Sequence, residues 1–182
     1  MDPHVATETA AAGSPSPTLL DGNPVAERIR TGLEHPIGTL DDAGVAPKLA
    51  VVSMTESGAG RTYVSMKKRA CSEAGIHGSV HGIDPGAPAE RLFERIEALN
   101  ADPTVDGIAV QTPLPDHVDT RAVARRIDPT KDVEGVHPET LGRLGTGDPE
   151  YKPPTPHGIQ RLLAAYGIET TGRRAVIVGR SE

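Results

Sequence analysis

Apolar positions along the chain switch repeatedly between helical and strand spacing, and the switching predicts an architecture. Val25, Ile29, Leu33, Ile37 and Leu40 recur at helical intervals behind Asp21-Gly22-Asn23-Pro24, where Asn23 is placed to cap and Pro24 is preset for a first turn. Pro36 is expected to kink or interrupt this helix. Residues 48–54 form a short β-branched run, residues 61–74 return to helical period through Val64, Ala70, Cys71 and Ala74, and residues 76–83 read as a second strand. An amphipathic helix over residues 88–100 puts Leu92, Ile96 and Leu99 on one face. Residues 107–111 then form a buried-type strand that ends at Thr112-Pro113-Leu114-Pro115, because two prolines forbid further ladder pairing. A short helix is expected over residues 120–126 and an irregular stretch over residues 128–138. Thr155-Pro156 opens a further helix carrying Ile159, Leu162, Leu163 and Tyr166, and residues 174–178 are expected as a fourth strand. Strands separated by helices predict a parallel α/β sheet, with ligands outside the carboxyl ends of its strands.

Composition restricts what can fill that sheet's core. With three tyrosines, one phenylalanine and no tryptophan, the interior must be built from Ala, Val, Ile and Leu, while 20 glycines and 17 prolines argue for short elements over a long bundle. A formal charge of −6 offers no counter-charge to a phosphate backbone, so nucleic acid is not an expected partner. Cys71 is the single cysteine, which excludes an internal disulfide and fits a reducing compartment. His77 and His81 share one side of a strand without a third ligand near in sequence, so no metal site is expected. The apolar runs are too short to span a bilayer, and the first basic residue is Arg28, which leaves no positive region for a signal peptide. The expected location is cytoplasmic. Residues 1–18, rich in Ala, Thr, Ser and Pro without apolar periodicity, are expected to be a disordered leader.

Four constellations carry candidate chemistry. Tyr63 and Lys67 stand four apart on one helical face, placing a phenol beside an ammonium; in isolation the same string also fits an exposed face, since Lys67, Lys68 and Arg69 form a basic run. A lysine that accepts a proton near neutral pH must be desolvated or held by neighbours, because its ordinary pKa is about 10.4. Gln111 presents an amide at the end of a strand, able to donate and to accept, or merely to cap that strand. Lys131-Asp132-Val133-Glu134-Gly135, followed by His137-Pro138, sets two carboxylates on an irregular segment, which reads equally as a functional loop or a solvated charge run. Finally, Val176-Ile177-Val178-Gly179-Arg180-Ser181 runs an apolar strand into a glycine, the kind of turn at which a backbone approaches phosphate.

In this order the strings resemble the bifunctional methylenetetrahydrofolate dehydrogenase/methenyltetrahydrofolate cyclohydrolase family. The resemblance covers residues 19–181 and is carried by Leu20-Asp21-Gly22, YVSMKKRAC from Tyr63, DGIAVQTPLP from Asp106, IDPTKDVEGVHPETLGRL from Ile127, PTPHG from Pro154 and the closing VIVGRS. It implies an N-terminal parallel α/β folate-site domain over residues 19–153. Residues 154–182 would then be a linker helix and the first strand of a Rossmann-type NADP domain. The implied chemistry is oxidation of methylene-tetrahydrofolate with NADP, then hydrolysis of the methenyl cation to formyl-tetrahydrofolate. By the same resemblance Lys67 is the catalytic lysine and Gln111 positions and tunes it. Tyr63, Pro113 and Glu134 contact the folate, and Gly179, Arg180 and Ser181 begin the cofactor site. Complete members of the family are homodimers.

The sequence also departs from that family pattern. Glu134 stands where an aspartate holds the pterin ring, which moves the carboxylate by about 1.5 Å, one C–C bond. Gly58-Ala59-Gly60 replaces Pro-Ala-Ser, a change expected to loosen the wall carrying Tyr63. Pro154 replaces a cysteine and Thr112 an apolar residue, neither of them catalytic. A βαβ unit needs about 30 residues, yet only Gly179, Arg180, Ser181 and Glu182 follow the fourth strand. The chain is therefore expected to stop at the start of the NADP domain, without a dinucleotide site and with apolar surface exposed. A non-enzymatic folate-binding fragment or degenerate paralogue is the competing expectation.

Overall fold

Three parallel strands form the frame: β1 (Lys48–Ser53), β2 (His77–Gly82) and β3 (Gly107–Gln111), in the order β2-β1-β3. They come from a computed structural model that describes residues 18–55 and 57–179. The register pairs Lys48 with His77 and Ser53 with Gly82 on one side of β1, and Leu49 with Gly107 and Ser53 with Gln111 on the other. Ser53, Gly82 and Gln111 thus end their strands at one edge. Every residue of β3 is buried, as expected of a parallel strand covered on both faces.

The period of two along the strands sorts the core onto those faces. Ala50, Val52, Ile108 and Val110 meet Leu92, Ile96 and Leu99 of helix α3 (Ala89–Ala101) in the main apolar cluster, which also takes in Val118, Val123 and Ile127. Val51 and Ala109 turn to the opposite face. Helix α2 (Gly58–Glu73) crosses that face beside β2, close enough that a Cβ built on Gly78 would lie 3.3 Å from the Cys71 Cβ. The cluster is built from aliphatic side chains and Met54, with Phe93 packed at its margin.

The remaining helices lie outside this frame. Helix α1 (Asn23–Asp42) buries no residue and is not interrupted at Pro36. Pro36 and Gly32 are both exposed, so the Gly32 carbonyl that loses its helical donor faces water. Asn23 does not cap either: Gly22 occupies the cap position, and the Asn23 N–H donates to Asp21 Oδ1 at 2.9 Å. After α4 (Thr120–Ala124) and a 3-10 turn at Pro129–Lys131 comes α5 (Pro138–Thr146), a helix the apolar pattern did not announce. Helix α6 (Pro154–Ala165) also buries nothing, and its following Tyr166 hydroxyl donates to the Asp21 carbonyl at 3.2 Å and accepts from the Asp21 N–H at 2.8 Å.

The expected fourth strand does not form. Residues 174–178 are extended coil, with Val176, Ile177 and Val178 between 84% and 96% exposed. A strand exists only through a neighbour that takes its N–H and C=O groups, and no described strand lies beside this segment. The expected leader, apart from Thr18, lies outside the described residues. Among the described residues no helix is long and apolar enough to cross a membrane.

Candidate functional site

The chain leaves β1 at the carboxyl edge of the sheet and enters α2 within a few residues. Ser57 makes that entry: its Oγ accepts from the Gly60 N–H at 3.0 Å, satisfying one donor of the helix's open first turn. The Thr55 hydroxyl braces the cap, accepting from the Ser57 N–H and donating to Ser57 Oγ, both at 3.2 Å. Ser57 thus supplies the cap at the end where Gly58-Ala59-Gly60 lacks one. Gly60 is buried against it, and a Cβ there would fall 2.6 Å from Thr55 Cγ2 and 2.8 Å from Ser57 Oγ.

One turn into α2, Tyr63 and Lys67 share a face. The Lys67 ammonium sits 5.2 Å from the centre of the Tyr63 ring, within cation–π range, and donates to Glu134 Oε1 at 2.8 Å. The Lys67 and Glu134 side chains are 22% and 23% exposed, so the pair is screened less than a surface ion pair yet open to a ligand. Tyr63 itself is 53% exposed and lies outside the core. A turn further on, Cys71 is buried; burial pushes its thiol pKa up, and the Lys67 charge opposes that.

Glu134 reaches this face from a loop that is far from solvated. Lys131 turns its ammonium onto the last carbonyls of α3, donating to Leu99 at 3.1 Å and to Asn100 and Asp102 at 2.8 Å. Asp132 is fully buried and bridges β3 through its backbone opposite Ile108. Gly135 has φ +65, and a Cβ there would lie 3.0 Å from the Pro153 nitrogen, so the loop turns tightly against the segment that leads into α6. The reading of this stretch as a solvated charge run is overturned for Lys131 and Asp132: both charges face inward.

No hydrogen bond joins Lys67 to Gln111 among the described residues. Its Nε2 donates to the adjacent Thr112 carbonyl at 2.6 Å, and its Oε1, equally buried, has no hydrogen-bond partner among the described residues. The following Thr112–Pro113 bond is cis, and Pro113 is exposed beside it at the sheet edge. Gly179 is exposed at the end of the described tail, while Arg180 and Ser181 lie outside the described residues. Helical spacing places Tyr63 and Lys67 on one face, as the structure has them. The partnership of Lys67 with Glu134 spans 67 residues, and no local periodicity signals it.

A family model described as tetrahydrofolate dehydrogenase/cyclohydrolase, catalytic domain, matches residues 20–134. The chain belongs to this family. The match takes in Tyr63, Lys67 and Gln111 and ends on Glu134. A bifunctional FolD protein of Haloarcula marismortui is 53% identical over 165 residues, covering 91% of this chain and 56% of that protein. The crystal structure of the bifunctional FolD enzyme of Campylobacter jejuni superposes with a TM-score of 0.85 at 38% identity, over 90% of this chain and 58% of that one. The FolD enzyme of Trypanosoma brucei, solved with NADP cofactor and an inhibitor, gives a TM-score of 0.86 at 28% identity over 90% of this chain and 57% of that one. The chain thus spans a little over half the length of the FolD relatives it matches.

A dinucleotide site in such folds needs a paired strand that feeds the N-terminus of a helix. Residues 174–179 have no strand partner and lead into no helix among the described residues. The described residues therefore do not fit NADP.

Proposed function

We propose that the face formed by Tyr63, Lys67 and Glu134 is the tetrahydrofolate site of a bifunctional methylenetetrahydrofolate dehydrogenase/methenyltetrahydrofolate cyclohydrolase, with Lys67 handling protons at the one-carbon centre. The observation that carries the reading is the Lys67 ammonium, 2.8 Å from the Glu134 carboxylate and over the Tyr63 ring. In the hydrolytic step water adds to the cationic methenyl carbon and loses a proton. The bond from that carbon to N5 then breaks as N5 takes up a proton and the hydroxyl gives one up, leaving the 10-formyl product and one proton in solution. A half-buried amine beside a carboxylate can take and return those protons, a contribution of roughly 10²–10⁴ in rate for a positioned acid–base group. The exposed ring of Tyr63 offers a flat face to the pterin. Glu134 would exchange Lys67 for donors on that ring, and the free Oε1 of Gln111 would accept from the ligand or from Lys67 once it is released. Oxidation of the methylene substrate, with NADP as hydride acceptor, belongs to the same proposal for the whole protein.

Loss of the methenyl chromophore above the buffer rate is the test, with Lys67→Ala as the control. The variant is expected to lose about 10²–10⁴ in rate. Equal rates for the two proteins remove the catalytic reading. A second reading, folate binding without catalysis, is favoured by the ion pair itself, which engages both of the groups that catalysis would need. Equal rates together with retained folate binding would support that one.

A further inference from the structure

We infer that Asp132 is a positioning residue that sets Glu134 opposite Lys67, an assignment that rests on reading this face as the folate site. Asp132 ties the loop at three points. Its backbone bridges Ile108 in β3, its carbonyl accepts from the Gly135 N–H at 3.3 Å, and its carboxylate Oδ2 accepts from the His137 N–H at 2.8 Å. The second of these closes a four-residue turn in which Glu134 is the third residue, so the turn decides where that side chain leaves the loop. The third closes the loop at its base. It spans five residues and ends on the residue that opens α5, where His137 Nδ1 accepts from the Glu139 N–H at 3.1 Å.

The cost of this arrangement argues that the closure matters to the loop's shape. Asp132 is completely buried, and its Oδ1 has no hydrogen-bond partner among the described residues. A carboxylate taken out of water is expensive unless its bonds are strong, and the bond to His137 is of the charge-assisted kind. Lys131, the preceding residue, fixes the other approach to the loop on the C-terminal carbonyls of α3. Glu134 therefore lies within the loop that Asp132 closes onto His137, just after two inward-facing charges, and its 2.8 Å contact with Lys67 depends on the backbone they hold.

Acetylation of the whole protein by an N-hydroxysuccinimide ester, with each lysine read by mass spectrometry, tests this without any folate. Lys67 should react slowly beside the exposed Lys68, and Glu134→Gln should release it. Asp132→Ala should raise the Lys67 rate about tenfold, as expected for losing a charge-assisted hydrogen bond, and leave Lys68 unchanged. Asp132→Asn keeps an oxygen for the His137 N–H and should stay close to the parent rate. Unchanged Lys67 reactivity in a folded Asp132→Ala protein overturns the assignment, and so does an Asp132→Asn protein as reactive as Asp132→Ala. Hydrogen exchange at the His137 amide of the unaltered protein gives a second reading that needs no variant to fold: protection is expected, and exchange at the rate of an open amide refutes the closure. Because neither measurement involves a substrate, absent methenyl hydrolysis would sink the proposed activity and leave this result standing.

Discussion

Glu134 meets Lys67 because its side chain is long enough to cross the gap. An aspartate on the same backbone would fall short by about 1.5 Å, turning a 2.8 Å contact into one beyond hydrogen-bond range. The extra methylene thus has two consequences: it moves the carboxylate relative to the aspartate expected at this position, and it gives Lys67 a partner that a folate must displace. A half-exposed, charge-assisted pair is worth about 1 kcal/mol. Glu134→Asp is therefore expected to lower KM for the methenyl substrate about fivefold, with kcat changed less, since the ligand no longer pays to open the pair. Steady-state kinetics on the two proteins check this. A KM that stays the same or rises would mean that the backbone already accommodates glutamate and the pair costs the ligand nothing.

Gly60 shows how an element's end is decided by contact and not by propensity. Alanine in a helix is favoured over glycine by about 1 kcal/mol, and on that ground Gly60→Ala should stabilise α2. The added Cβ would lie 2.6 Å from Thr55 Cγ2 and 2.8 Å from the capping Ser57 Oγ, both on short side chains with little room to yield. Overpacking of this kind costs about 1–3 kcal/mol, and displacing the cap about 1 more. The balance is a net loss, so thermal unfolding of Gly60→Ala is expected several degrees below the parent; a higher midpoint would show that the turn at Thr55 relaxes. The same contrast explains what was legible in the sequence. β1, β3, α2 and α3 follow from spacing because they bury the apolar positions that the pattern marks, and the same helical period puts Tyr63 and Lys67 on one face. Helix α5 was missed because Gly142 and Gly145 weaken its period and only Thr140 is buried, while its start is set by the His137 cap and Pro138. Residues 174–178 have the strongest strand composition in the chain and form no strand, since pairing is a property of two segments. The inward turn of Lys131 and Asp132 was equally invisible, because their partners lie on α3 and next to α5.

At the scale of the whole molecule, the longest run of large exposed apolar residues among those described is Val176-Ile177-Val178. The two sheet edges are protected: β2 is composed of His, Gly, Ser and a single Val, and β3 has Asp132 bridged along its outer side. The tail has no such protection, with Val176, Ile177 and Val178 at 84%, 92% and 96% exposure, and Ile159 and Ile168 at 54% and 43% add to it. A β-branched segment with open backbone groups is a template for pairing with another copy, and scattered single apolar residues are not. The protein is therefore expected to bind a hydrophobic dye in its native state and to self-associate as concentration rises, as read by sedimentation velocity. Ile177→Lys should suppress both, since a charge in the middle of the run blocks edge-to-edge pairing. The substitution touches neither the sheet nor α2, so the unfolding midpoint and Lys67 acetylation should stay at parent values. If Ile177→Lys self-associates as strongly as the parent, the contact lies elsewhere. The exposed faces of α1 and α6, where Ile29, Leu33 and Ile159 are between 38% and 54% exposed, would be the surface to alter next.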